Sequence, residues 1–137
     1  MVKVPEGVAR YLTISPAAGG ASNHCYTTIQ VVDAYGNAVK ESLIFWVWIS
    51  DVATGIGISA KSDAMAVITY GIDFIVIAQT ALNLILVQAD ANGKYVLDIT
   101  EATAGDRDFY VAATIPGGPN AGRTVVSRVL TTADFTA

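Results

Sequence analysis

Apolar residues recur at every second position through much of this chain. Ile29 and Val31; Leu43, Phe45, Val47 and Ile49; Tyr95, Leu97 and Ile99; and Phe109, Val111 and Ala113 form four such rows, the spacing that puts side chains on one face of a β-strand. Gln30, Lys94, Asp98 and Asp108 lie between or beside them, as a half-exposed antiparallel strand requires. The rows are the expected core. Strand-length runs rich in Val, Ile, Thr and aromatic residues predict strands at 8–14, 25–33, 42–50, 65–70, 73–79, 82–89, 94–100, 108–115 and 123–130. Gly, Pro, Asn and Asp separate these runs, the punctuation of an all-β sandwich.

Three breaks carry definite turn chemistry. Asp33-Ala34-Tyr35-Gly36-Asn37 and Asp90-Ala91-Asn92-Gly93 supply side chains that bond their own backbone and glycines that accept positive φ, so both are expected to connect strands, the second as a hairpin turn. Pro116-Gly117-Gly118-Pro119-Asn120-Ala121-Gly122 can continue neither flanking strand, because its prolines lack an amide donor and its glycines lack a side chain to pack. It should be an exposed loop.

Two regions break the alternation. In 42–50 the second face carries Ile44, Trp46 and Trp48, and in 73–89 Phe74, Ile75, Val76 and Ile77, then Leu84, Ile85, Leu86 and Val87, leave no polar face. Something must cover the second face of these strands. It is a loop or helix of the same chain, with a short helix replacing one strand of 73–89 as a variant, or it is another subunit. Tryptophan dominates the energetics of protein contacts, so Ile44, Trp46, Trp48, Phe74, Val76, Leu84 and Leu86 are the candidate interface residues.

With 137 residues, 53% of them hydrophobic, the chain has material for one domain with its own core and too little for two ordinary ones. Residues 1–24 are set apart as an extended N-terminal arm of that domain. A net charge of −4, with eight scattered Lys and Arg, leaves no basic patch to neutralise phosphates, so nucleic acid is not an expected partner. The N-terminal residues do not resemble a signal peptide, which points to assembly in the cytosol. The uncharged stretch 74–89 is sixteen residues long and includes Gln79, Thr80, Asn83 and Gln88, short of the roughly 20 apolar residues of a membrane-spanning helix. No membrane partner is expected.

Candidate chemistry is sparse. Cys25 is the sole cysteine and His24 the sole histidine, so an internal disulfide is impossible and a zinc site would need carboxylates. Adjacent residues on a strand point to opposite faces, so His24 and Cys25 should not pair as base and nucleophile. Cys25 reads as a small buried thiol. Asp33, Asp51, Asp63, Asp73, Asp90, Asp98, Asp106 and Asp108 form no dense metal-loop pattern. The segment from Asp90 lacks the third alternating donor of a calcium loop, and Glu101 falls one short of the closing position. Residues 101–108 read as a polar connection whose acids face water or pair with Arg107. Gly55, Gly57 and Gly71 precede no Gly-Lys-Ser/Thr sequence, so Gly55-Ile56-Gly57 reads as a flexible loop rather than a phosphate cradle. No catalytic residue, metal ligand or cofactor is assigned.

The series Val31-Val32-Asp33-Ala34-Tyr35-Gly36-Asn37-Ala38-Val39, then Phe45-Trp46-Val47-Trp48-Ile49-Ser50-Asp51, then Val87-Gln88-Ala89-Asp90-Ala91-Asn92-Gly93-Lys94-Tyr95-Val96-Leu97-Asp98-Ile99, resembles the small immunoglobulin-like virion proteins of tailed bacteriophages. The likeness spans most of residues 25–115 and is to head decoration or cement proteins. It implies an immunoglobulin-like antiparallel β-sandwich, or a jelly-roll-like variant, with no catalytic residues. It also implies a homo-oligomer, trimer or dimer, that binds the major capsid protein on the outer head surface. An immunoglobulin-like module of a head fibre or tail that grips host-surface glycans is the alternative, with Trp46 and Trp48 as the stacking platform.

Overall fold

The computed structural model describes residues 10–61, 64–67, 75–81, 83–118 and 120–137. They form an all-β sandwich of nine strands: β1 (Tyr11–Ala18), β2 (His24–Val32), β3 (Ile44–Ser50), β4 (Ala64–Val67), β5 (Ile75–Ala81), β6 (Leu84–Gln88), β7 (Lys94–Thr100), β8 (Tyr110–Thr114) and β9 (Thr124–Val126). One sheet has the order β1-β2-β7-β4 and the other β5-β6-β3-β8-β9. Every pairing is antiparallel. Both predicted runs of 73–89 are strands in their described parts, and no helix replaces either. Among the described residues no helix is long and apolar enough to cross a membrane.

The inward rows meet between the sheets as the alternation predicts. Ile29, Val31, Val47, Ile49, Tyr95, Leu97, Ile99, Phe109, Val111 and Ala113 are fully buried, Phe45 nearly so, and Leu43 packs half-buried at the margin. Phe45 meets Tyr95 edge-on at 6.5 Å between centroids, one of the geometries aromatic quadrupoles favour. Burial pushes the Tyr95 phenol far above its ordinary pKa of 10.

Several expectations need correction. The strand predicted at 8–14 is found as β1, which runs on to Ala18, so residues 11–18, also set apart as part of an N-terminal arm, pair along their whole length with β2. Pro16 sits in this strand because β1 is an edge, where a missing amide donor breaks no second ladder. The predicted strand at 123–130 is strand only over Thr124–Val126. The chain then leaves the sheet, sends Leu130 and Phe135 into the core, and ties down the β1–β2 turn. Asn23 donates its amide to the Thr136 carbonyl at 2.7 Å, and Thr136 donates its own to the His24 carbonyl at 3.1 Å. Finally, Glu101 is buried rather than solvated. Arg107 donates to the Glu101 main-chain carbonyl at 2.9 Å and to Asn23 Oδ1 at 2.8 Å, with its guanidinium 4.9 Å above the Phe135 ring. Asp106 is exposed, and Asp108 pairs with Lys61 at 2.9 Å.

The two Asp-x-x-Gly turns fold alike. Asp33 Oδ1 accepts the amides of Tyr35 and Asn37, and Asp90 Oδ1 those of Asn92 and Lys94, all within 2.8–3.0 Å. The second turn is not a hairpin, because β6 and β7 belong to different sheets; it carries the chain across the sandwich. The turns also meet. Val31 donates its amide to the Gly93 carbonyl at 2.9 Å, and Val39 donates to the Val31 carbonyl at 2.9 Å. The 116–122 segment joins β8 to β9 as a loop, closed by the Gly122 amide on the Ile115 carbonyl.

Alanine at Gly36 and at Gly93 should therefore behave differently. Gly36 has φ +82° and open space around it, so Gly36→Ala should cost only the left-handed penalty of about 1–2 kcal/mol. Gly93 has φ +72°, and a Cβ there would lie 1.9 Å from the Val39 carbonyl oxygen. Gly93→Ala should lose about 3 kcal/mol or more, the range of a backbone clash added to strain, read by urea unfolding.

The C-terminal lock has a pH signature. Asp134 is buried, bonds Arg128 at 2.6 and 2.8 Å, and accepts the Thr131 amide at 2.8 Å. The Arg128 guanidinium holds its carboxyl below the ordinary value of 3.8. A lowered folded pKa gives stability that is complete above the unfolded value and lost as pH falls through the folded one. Asp134→Asn should thus cost about 1 kcal/mol at neutral pH. The gap between variant and wild type should close as thermal melts are repeated in progressively stronger acid below pH 3.8.

Candidate docking face

The two outer faces of the sandwich differ in chemistry. On the four-stranded sheet, the outward residues of β2 and β7 include His24, Tyr26, Thr28, Gln30, Lys94, Asp98 and Thr100, set opposite one another in the ladder. His24 Nδ1 lies 2.6 Å from Asp98 Oδ1. Cys25 points the other way into the core, fully buried and 3.6 Å from Thr27 Oγ1, and burial raises its thiol pKa above 9.0. The histidine and the thiol are therefore on opposite faces, as strand geometry requires, and form no nucleophile–base pair.

The outer face of the five-stranded sheet is largely apolar along β3 and the adjoining parts of β6 and β8. Trp46 stands opposite Leu86, and Trp48 stands between Leu84 on β6 and Ala112 on β8. Ile44 is 50% exposed, while Trp46, Trp48, Leu84 and Leu86 are half-buried. Five of the seven interface candidates thus share one surface. Val76 lies in β5 opposite Val87, and Phe74 lies outside the described residues, as do Asp63, Gly71 and Asp73.

Part of this face is covered from within the chain. After β3 the segment 51–59 turns back over it, and Trp48 Nε1 donates to the Gly55 carbonyl at 2.9 Å. Ser50 Oγ donates to the Ile56 carbonyl at 3.1 Å. Gly55 approaches so closely that a Cβ there would lie 3.0 Å from the Thr124 methyl and 3.1 Å from a Val126 methyl. Buried Ser59 fixes the far end: its amide donates to the Ile49 carbonyl, its Oγ to Asp51 at 2.7 Å, and its carbonyl accepts Asn83 Nδ2 at 2.6 Å. Gly55-Ile56-Gly57 is therefore an anchored flap rather than a free loop.

The flap does not close the face. Between it and the strands runs an open groove of about 500 Å³ lined by Trp46, Trp48, Gly55, Gly57, Ile58, Leu84 and Thr114. Ile58, one of the lining residues, is 48% exposed, and Ile56, between the two lining glycines in sequence, is 78% exposed. These isoleucines were missed in the sequence, although a loop of small residues carrying Ile-Gly-Ile has little reason to be apolar unless it packs on something. No charged residue occurs at the outward positions of β3, β6, β8 and β9 or in residues 52–58.

No protein-family model matches this chain, and no curated protein and no solved structure shows significant similarity to it. Among the described residues no group of three or more His, Cys, Asp or Glu side chains is placed to hold a metal ion. What the arrangement offers is an uncharged apolar contact surface.

The indole bond to the flap is testable. Trp48→Phe removes the donor to Gly55 and should cost about 1 kcal/mol, the net value of one such hydrogen bond. Amide exchange should accelerate selectively within 52–58 while the β2 and β7 amides stay protected.

Proposed function

We propose that this protein is a non-catalytic virion structural module that decorates and cements the outer surface of a tailed-phage head. The observation that carries the docking part of this reading is the uncharged face of Ile44, Trp46, Trp48, Leu84 and Ile58 left open beside its flap. Soluble monomers seldom leave apolar patches of this kind without a partner. The place on a phage head rests on the resemblance of the three strand-and-turn segments. An immunoglobulin-like assignment is supported by the spatial order of the strands. Sheets of four and five strands, β1-β2-β7-β4 and β5-β6-β3-β8-β9, have the layout of a variable-type immunoglobulin sandwich. The chain order differs, since β4 joins the four-stranded sheet before β5 and β6 are laid down.

A cement protein works through area and repetition rather than chemistry. A capsid presents one binding site many times, so a module that contacts adjacent capsid subunits, or is linked to copies of itself, converts modest contacts into high avidity. The major capsid protein is the partner proposed, and assembly takes place in the host cytoplasm. The groove itself favours a second reading, a glycan-binding module of a head fibre or tail, because two half-exposed indoles beside an open cleft can stack on sugar rings.

Co-sedimentation of the purified chain with isolated heads of the phage that encodes it tests the first reading. Wild type should pellet with heads, and Trp46→Ser should bind at least tenfold more weakly while keeping its β-sheet circular dichroism. Failure of the wild type to bind heads, together with Trp46-dependent retention on a glycan array, would replace decoration by the second reading.

A further inference from the structure

We infer that the outer face of the four-stranded sheet holds a binding site for a free α-amino acid with an apolar side chain. The site lies on the opposite side of the sandwich from the Trp46–Trp48 groove and does not rest on the decoration reading. Its first observation is a cavity. A cleft of about 550 Å³ opens over β1, β2 and β7, within the size range of pockets that hold small ligands. The ladder explains it. Ala17 stands beside Tyr26, and Thr28 beside Val96, so small side chains form a low floor. The Tyr26 ring bounds that floor at one end and the turn leading into β7 at the other.

The second observation is charge. Asp90 and Lys94 bring one carboxylate and one ammonium to the cleft, and Asn92 brings an amide. Asp90 Oδ1 is taken by the turn, accepting the main-chain amides of Asn92 at 2.8 Å and Lys94 at 3.0 Å. Asp90 Oδ2, the Asn92 side-chain amide and the Lys94 ammonium have no partner among the described residues. Asp98, across the ladder from Tyr26, does not compete for Lys94 or a ligand, because His24 holds it at 2.6 Å. Two opposite charges thus share one cleft without pairing. A neutral ligand would compensate neither, and a singly charged one would leave the other unmatched. An α-amino acid offers its ammonium to Asp90 and its carboxylate to Lys94 and Asn92. Its side chain is left to pack on Val96 and the Tyr26 ring, where an aromatic group fits best.

The third observation is that both walls are fixed. Gln30 Nε2 donates to the carbonyls of Asn92 at 3.0 Å and Gly93 at 3.2 Å, and the Val31 amide donates to the Gly93 carbonyl at 2.9 Å. At the other end Gly19 and Gly20 run close along Tyr26. A Cβ at Gly19 would lie 2.9 Å from two ring carbons, and one at Gly20 3.2 Å from the phenol oxygen. With the walls held in advance, little ordering opposes binding.

NMR titration of the full chain with L-phenylalanine tests the site. The amides of Tyr26, Thr28, Asn92, Lys94 and Val96 should shift while those of β3 stay, with a dissociation constant of about 1 mM. N-acetyl-L-phenylalanine lacks the ammonium and L-phenylalanine amide lacks the carboxylate. Each should bind about fivefold more weakly, the upper range for one solvent-exposed ion pair. Asp90→Asn keeps the acceptor that the turn uses, and Lys94→Gln alters an exposed side chain, so both should keep the wild-type melting curve. Each should lose about fivefold for L-phenylalanine, and Asp90→Asn should no longer distinguish the free from the acetylated form. Ala17→Leu fills the floor and should abolish the shifts. A wild type that shows no shifts at about 20 mM L-phenylalanine overturns the inference. So does equal binding of the free and both blocked forms, which would reduce the site to a surface for the ring alone. A response to D-glucose without one to L-phenylalanine would also overturn it and make the cleft a polyol site.

Discussion

The strand at the centre of the five-stranded sheet, β3, is apolar on both faces, and a sandwich can bury only one of them. Phe45, Val47 and Ile49 point between the sheets and are buried there. Ile44, Trp46 and Trp48 point the other way, where no third layer exists among the described residues. The fold meets this with a flap drawn back from the end of β3 itself, held by one indole N–H and one serine hydroxyl. The cover is partial, and an open groove remains beside the flap.

The rest of the structure holds the two sheets in place so that this face is presented rigidly. Two Asp-x-x-Gly turns carry the chain across the sandwich, and each uses a carboxylate oxygen to satisfy two amides that would otherwise lack partners. Their contact through Val31, Val39 and Gly93 joins the end of β2 to the start of β7. At the opposite end the C-terminal segment closes the core with Leu130 and Phe135, and Phe135 packs edge-on against Phe109 at 6.0 Å. Arg107 lies over the Phe135 ring and bonds the Glu101 carbonyl, so a buried cation is satisfied by main chain and an aromatic face.

A face without charge has consequences for what it can recognise. It cannot be steered electrostatically, and its selectivity must come from shape. That suits a partner met at high local concentration better than a dilute soluble one. The polar outer face of the other sheet, with His24 held by Asp98, stays free in such an arrangement.

Much of the architecture follows from local sequence, because period-two alternation and turn chemistry act over a few residues. The apolar rows of β2, β3, β7 and β8 are legible for that reason, and so are the turns at Asp33 and Asp90, and so is the surplus apolar face of Ile44, Trp46 and Trp48. Four things were decided only in three dimensions. The first strand, predicted to end at Ile14, runs on to Ala18 because β2 offers it an open edge, which overrides the poor strand character of Pro16 and the alanines. Residues 127–137 leave the sheet because the core between the sheets has room for Leu130 and Phe135. Glu101 is buried because the chain around it folds inward, although its local sequence is polar. The Ile56 flap is a surface feature because Trp48 and Ser50, several residues earlier in the chain, reach back to hold it. Sequence pattern determines which face of a strand is apolar; which of two apolar faces becomes core, and what covers the other, depends on contacts between segments distant along the chain.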